Sequence, residues 1–231
     1  MSVPAPARTA RPRRWRTRFS AFSLLLLLTG LGALSVQAQT LDFSDYNGFG
    51  NAASTVVTTL KIGSTTDKES AATTNATATG DDITGSDDED GVTVPATLTQ
   101  GASASLVVNL TNSSGVAANL NIWIDFNRNG VLTDAGEQIV TNTSIVNGTT
   151  NSNRTITFTV PATATPGVAG VRVRLTSTSS PGPASTSGNG EVEDYVTTIL
   201  SRLDYGDYPQ FTSATQVANS IIRIGTNATD T

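Results

Sequence analysis

Arg154-Thr155-Ile156-Thr157-Phe158-Thr159-Val160 and Val171-Arg172-Val173-Arg174-Leu175-Thr176 alternate apolar and polar side chains without a break. A period of two puts one set of side chains on each face of an extended chain, which is the pattern of a strand. Outward from these stretches the same reading holds for Ser105 to Leu110, for Leu120 to Asp125 and for Val196 to Leu200. Gly, Pro, Asn and Ser separate the runs, as turns require. After the N-terminal leader no long segment keeps a helical period; residues 54–62 and 216–224 read either way, because Val56 and Leu60 are four apart. The expectation is an all-β chain: an antiparallel β-sandwich, Ig-like or jelly-roll-like, preceded by a signal-peptide helix and a long polar loop. Trp123, Phe158, Val173 and Leu175 are its candidate core. Arg172 and Arg174 alternate with that core, so they face solvent or pair with acidic clusters.

The chain has 231 residues, 37% of them hydrophobic and 14% charged, with no histidine and no cysteine. Ser-His-Asp and Cys-His catalysis, disulfides, thiolate zinc and iron–sulfur ligation are therefore excluded. Six arginines between Arg8 and Arg18 precede an apolar stretch centred on Leu24 to Leu28, and Val36-Gln37-Ala38 supplies small residues where a signal peptidase cuts. Residues 1–38 read as a cleaved secretory signal, the alternative being an uncleaved signal-anchor. The expected destination is the cell surface or the medium, with no stable transmembrane segment after cleavage. All charges in residues 1–38 are arginine, so the remaining 193 residues carry 8 basic and 19 acidic side chains, a net charge of −11. Such a chain is a poor partner for nucleic acid, whose phosphates need Lys and Arg. Carboxylates attract hard cations instead, and outside the cytoplasm the expected one is calcium.

Two blocks repeat at one offset. Leu41-Asp42-Phe43-Ser44-Asp45-Tyr46 matches Leu203-Asp204-Tyr205-Gly206-Asp207-Tyr208, and Leu60-Lys61-Ile62-Gly63-Ser64 matches Ile222-Arg223-Ile224-Gly225-Thr226, each displaced by 162 residues. The organisation expected is a signal peptide over 1–38, N-terminal strands and a polar linker or loop over 39–90, a sandwich core over 91–202, and the start of a second, truncated unit over 203–231. The alternative is a terminal stretch that completes the first unit. Residues 64–90 are rich in Thr, Ser, Ala, Gly and Asp. They read as a long loop or as a region that orders only around an ion.

The sharpest chemical feature follows a strand: Asp125-Phe126-Asn127-Arg128-Asn129-Gly130-Val131-Leu132-Thr133-Asp134-Ala135-Gly136-Glu137. Oxygens at every second position before a glycine can wrap one cation, with Asp134 and Glu137 closing from the far side and the Val131 carbonyl contributing. The spacing is not that of an EF-hand, since Gly136 occupies the twelfth position and Glu137 comes one later. The competing reading is an Asx-rich turn whose side chains only cap backbone amides. Two further acidic clusters, Asp87 to Asp90 and Glu191 to Asp194, are cation ligands or solvated charge runs. Asp88, Asp90, Glu191, Glu193 and Asp194 are their candidate ligands.

Asp87-Asp88-Glu89-Asp90-Gly91-Val92, Trp123 to Gly130, Val171 to Leu175 and Gly190-Glu191-Val192-Glu193-Asp194-Tyr195 stand in an order that resembles the GEVED domain, which takes its name from the motif at Gly190 to Asp194. The resemblance covers roughly residues 41–202. It implies a β-sandwich module of exported bacterial proteins, often repeated or joined to other surface domains, with no established reaction. Asn127 and Asn129 stand where similar sequences often carry an acidic residue, which lowers the charge offered to a cation. The function expected is a non-catalytic, calcium-binding structural or adhesive repeat whose extracellular ligand, a carbohydrate or a surface protein, is unknown. A carbohydrate-binding accessory module of a secreted enzyme is the alternative; it needs exposed aromatic side chains, and aromatics are 6% of the chain. A glycosidase using Glu191 and Glu193 lacks other acid–base partners. Export predicts cleavage after Ala38, so mass spectrometry of the exported protein should find Gln39 at its N-terminus; a membrane-bound chain that keeps residues 1–38 would contradict this.

Overall fold

The computed structural model describes residues 1–2, 41–80, 88–205 and 215–217. Residues 3–38 of the leader, Asp87 and most of the stretch after Tyr205 lie outside the described residues. The strands in chain order are β1 (Leu41–Phe43), β2 (Ala53–Thr55), β3 (Leu60–Ile62), β4 (Val92–Thr93), β5 (Thr97–Thr99), β6 (Ser103–Asn112), β7 (Ala118–Ile124), β8 (Gln138–Ile145), β9 (Thr149–Thr159), β10 (Gly167–Thr176), β11 (Thr186–Leu200), β12 (Leu203–Tyr205) and β13 (Thr215–Val217). The described residues contain strands and turns and no helix, so the fold is all-β. Both stretches of strict alternation lie in long strands, β9 and β10. The ambiguous 54–62 segment divides into β2 and β3 around a turn.

One sheet runs β1-β2-β11-β10-β7-β8, with β5 also on β11; a second runs β3-β6-β4, with β9 on β6. Their inner faces share one core: Leu120, Ile122, Val171, Val173, Leu175 and Ile199 from the first, Leu60, Ile62, Leu106, Val108 and Leu110 from the second. Phe158 packs against this core while partly buried, as expected of β9. The first sheet departs from the antiparallel expectation. β11 pairs parallel with β2 at Thr186 and Asn189, and parallel with β5 from Thr198 to Leu200. Its other edge is fully antiparallel with β10 from Gly190 to Ile199. A parallel partner arrives by a long connection from elsewhere in the chain, so local alternation carries no trace of it. Along the outer edge of β11, no described strand pairs with residues 190–197, between the two parallel partners.

The outer face of this sheet is covered too. Arg172 and Arg174 are fully buried there, which corrects the expectation of a solvent-facing pair. Residues 44–53 and 181–187 lie over them: Arg172 donates to the Gly50 and Pro183 carbonyls at 2.6 and 2.7 Å, and Arg174 to the Ala53 carbonyl at 2.8 Å. Trp123 is buried on this face with Phe49 and Leu132, apart from the main core. The guanidinium of Arg172 sits 4.6 Å from the Phe49 ring centre.

β12 and β13 form a sheet of their own. Its register, Leu203 with Val217 and Tyr205 with Thr215, repeats Leu41 with Thr55 and Phe43 with Ala53 residue for residue at the offset of 162. Within β11, Gly190 has φ +150, and a Cβ there would fall on the Leu175 carbonyl oxygen. Only glycine lets β11 lie this close to β10 as it enters the acidic segment. Gly190→Ala should therefore lower stability by roughly 2 kcal/mol or more, read as a fall in the denaturant midpoint; an unchanged midpoint would contradict the close approach.

Candidate metal centres

The 125–137 loop leaves β7 and returns to β8. Asp125 and Glu137 are buried at its base, 5% and 2% exposed, while Asn127 and Asn129 lie outside. Asp125 accepts from the amides of Asn129 (3.1 Å) and Gly130 (2.9 Å). Asn127 accepts from the Asn129 amide at 3.0 Å, and Asn129 from the Val131 amide at 2.8 Å. Both asparagine side-chain amides donate to one oxygen of Asp134, each at 2.7 Å. These bonds hold Asp134 below the usual carboxylate range. Glu137 accepts from the Asn127 amide at 3.3 Å with one oxygen, and its other oxygen is buried without a hydrogen-bond partner. Burial, then the charges of Asp125 and Asp134, push Glu137 up against a favourable backbone bond. Arg128 ties the loop to the turn before β10 by donating to the Pro166 and Val168 carbonyls. Asp125, Asn127, Asn129, Asp134 and Glu137 are thus gathered in one loop. Val131, 44% exposed, joins them through its amide. The hydrogen bonds are those of successive Asx turns.

The other acidic candidates divide among separate surroundings. Asp194 is on the outer face of β11 and pairs with Arg172 through two bonds, 2.8 and 2.7 Å, with both side chains 0% exposed. It also accepts from the Tyr46 amide at 3.1 Å. Glu193 faces inward, accepting from the Gly91 amide (3.1 Å) and the Tyr195 hydroxyl (3.0 Å). Burial drives Glu193 well above its ordinary value, and burial with the Glu193 charge raises Tyr195. Asp90 is exposed and accepts from the amide and hydroxyl of Ser64 and the hydroxyl of Thr65. Those bonds outweigh its partial burial and hold it low.

Asp88 comes together with two residues that the sequence reading did not single out, Asp42 on β1 and Glu69 in the polar stretch, and Glu191 is near enough for its charge to act on Asp42. Carboxylate oxygens of Asp42, Glu69 and Asp88 all lie within 4.8 Å of one another, the one such trio of acids among the described residues. Each carboxylate is oriented by a backbone amide. Asp42 accepts from Val192 at 2.6 Å, Glu69 from Phe43 at 2.7 Å and Asp88 from Asp67 at 3.0 Å. Val192 is in the segment of β11 that has no described strand beside it, so Asp42 supplies the acceptor a neighbouring strand would have given. Glu191 accepts from the Ile62 amide with one oxygen; its other oxygen is buried without a hydrogen-bond partner. Burial, then the charges of Glu191 and Asp88, raise Asp42 well above its ordinary value. Burial, then the charge of Glu193, does the same to Glu191. Arg174 is within reach of the Asp42 charge, but burial and the neighbouring Arg172 pull it down to about 10, and its bonds go to Gly182, Ala53 and Ser187. The signal that could have found Asp42 was the repeated Leu-Asp-aromatic block.

Residues 119–198, from β7 into β11, match the model of the GEVED domain, the family that the motifs resemble. No curated protein matches the chain. Among solved structures, the CARDB domain of a Pyrococcus furiosus protein in complex with di-metal ions is 14% identical, with a TM-score of 0.30 over 47% of this chain and 84% of that one. The alkylpurine DNA glycosylase AlkC of Pseudomonas fluorescens, bound to DNA containing an abasic site analog, is 15% identical, with a TM-score of 0.28 over 47% of this chain and 28% of that one.

The Arg172–Asp194 pair gives a test of its own. Arg172→Met should cost about 3–5 kcal/mol, because it leaves the Asp194 charge buried alone. Arg172→Met with Asp194→Leu should recover much of that loss in a denaturant titration. Equal losses in the two variants would contradict a role in charge compensation.

Proposed function

We propose that this chain is a non-catalytic, calcium-held β-sandwich module of an exported bacterial protein, serving as a structural or adhesive repeat. One observation carries the reading. Among the described residues eight carboxylic side chains are buried, Asp42, Asp45, Asp88, Asp125, Glu137, Glu191, Glu193 and Asp194, against two buried basic ones, Arg172 and Arg174. A buried carboxylate needs a counter-charge and a full set of hydrogen bonds, and burial alone costs several kcal/mol per ion. Arg172 pairs with Asp194, and the charges that bear most on Asp42, Glu137 and Glu191 are those of other acids. Divalent cations supply two charges each to carboxylate oxygens, and calcium accepts the irregular, oxygen-rich coordination that loops offer.

The 125–137 loop is one proposed site, with Asp125, Asn127, Asn129, Val131, Asp134 and Glu137 as its ligands. The buried Glu137 oxygen without a partner supports it. The roles of Glu193 and Asp194 in this reading are structural: each already has donors on its oxygens, as Asp90 has at the surface. Glu191 and Glu193 are both buried, one against the Ile62 amide and the other against the Gly91 amide, which disfavours an acid–base pair open to substrate. The carbohydrate-binding alternative is disfavoured by the aromatics, since no described aromatic side chain is exposed and Trp123 is 2% exposed. Export to the surface or medium rests on the leader at 1–38.

Calcium should raise the melting temperature and chelation should lower it, since a ligand that binds only the folded state stabilises by mass action. At calcium concentrations about 100 times Kd the gain is about 2.7 kcal/mol. Magnesium should do less, because it holds its water and demands a tight octahedron. Asp125→Ala should remove part of the calcium effect and leave the strands intact by circular dichroism. Calorimetry that detects no calcium binding at millimolar concentrations would refute the reading.

A further inference from the structure

We infer that Asp42, Glu69, Asp88 and Glu191 form a second divalent-cation site, separate from the 125–137 loop, that clamps the N-terminal 41–69 stretch onto β11 and the 88–91 turn. The inference deepens the cation-held reading above and can fail independently of it. Two oxygens that share one calcium at ~2.4 Å each are at most ~4.8 Å apart. One oxygen each from Asp42, Glu69 and Asp88 meets that limit. The trio is not a solvated charge run, since Asp42 and Asp88 are 1% and 2% exposed. Glu191, 1% exposed, is the second and independent indication: one of its oxygens is held by the Ile62 amide and the other is buried with no hydrogen-bond donor. Glu191 is also the charge that bears most on Asp42, and the Asp88 charge bears on both. The trio and the buried Glu191 beside it repel one another, and an ion among them turns the repulsion into attraction.

The four residues come from four separate places in the chain. Asp42 is on β1, Glu69 is in the polar stretch, Asp88 precedes β4, and Glu191 is in the middle of β11. The Leu41–Glu69 bridge and the Glu69 contact with the Phe43 amide already close the 41–69 stretch on itself. β2 holds the stretch to β11 through two register positions. A cation at this point joins all of these segments where β11 has no described strand beside it. Calcium is the fitting ion, because carboxylates from unrelated segments give an irregular set that its flexible coordination tolerates.

The test is the number of calcium ions bound per chain, by equilibrium dialysis, with a proteolytic readout beside it. The parent should bind two ions. Asp42→Asn and Glu191→Gln, each isosteric and able to keep its backbone hydrogen bond, should each bind one. Asp125→Ala should also bind one, by loss of the other site. If Asp125→Ala loses nothing while Asp42→Asn loses an ion, the loop reading falls and this site stands. Trypsin should cut after the exposed Lys68, next to Glu69, faster in chelator than in calcium, and Asp42→Asn should be cut at the faster rate in both. The inference is overturned if Asp42→Asn and Glu191→Gln bind as many ions as the parent, or if cutting after Lys68 ignores calcium.

Discussion

The row of buried carboxylates at the outer edge of β11 is the constraint on which the rest of this fold depends. β11 is covered along one edge by β10 and held at each end of the other by a short parallel strand. Between those strands an edge would expose amides and carbonyls to a core it cannot satisfy. Carboxylates line the gap: Asp42 takes the Val192 amide of β11, while Glu191 and Glu193 reach from β11 to the amides of Ile62 in β3 and of Gly91. Backbone satisfaction is thereby bought with buried charge. Gly190 and Gly91 follow from the same geometry, because a Cβ at either would strike the backbone of the neighbouring strand or turn.

The two faces of the first sheet solve the problem of buried charge in different ways. On the outer face the solution is internal. Arg172 meets Asp194 with two hydrogen bonds, its remaining donor reaches the Gly50 and Pro183 carbonyls, and Phe49 covers it. The planar guanidinium fits such a crowded set, where a lysine would leave acceptors unmet. On the inner side the charges that raise Asp42, Glu191 and Glu193 are those of other acids.

Much of the fold was legible because strand alternation is local. The residues from Arg154 to Val160 and from Val171 to Thr176 fixed their inward and outward sides by composition alone, and both fall in long strands. The Asp125 loop was legible for the same reason, with its ligand candidates contiguous. Parallel pairing of β11 with β2 and β5 was not, since those partners are brought from far along the chain. Arg172 and Arg174 were misjudged because alternation shows which face a side chain takes and not whether a second layer covers that face. Asp42 and Glu69 were missed because they stand about 150 and 120 residues before Val192 and Glu191, in stretches too polar to suggest a core. The trace they did leave was the repeated Leu-Asp-aromatic block, and β12–β13 repeats the register of β1–β2 in which Asp42 sits.

Anomalous diffraction from crystals in which terbium replaces calcium tests the central claim most directly, because it locates the ions among the carboxylates without relying on stability. The account predicts a strong peak surrounded by Asp42, Glu69, Asp88 and Glu191, within ordinary ion–oxygen distance of each, and a separate peak in the 125–137 loop. Crystals soaked at millimolar terbium that show no peak at the β11 edge, with the four carboxyl groups hydrogen-bonded to one another or to water, would contradict it.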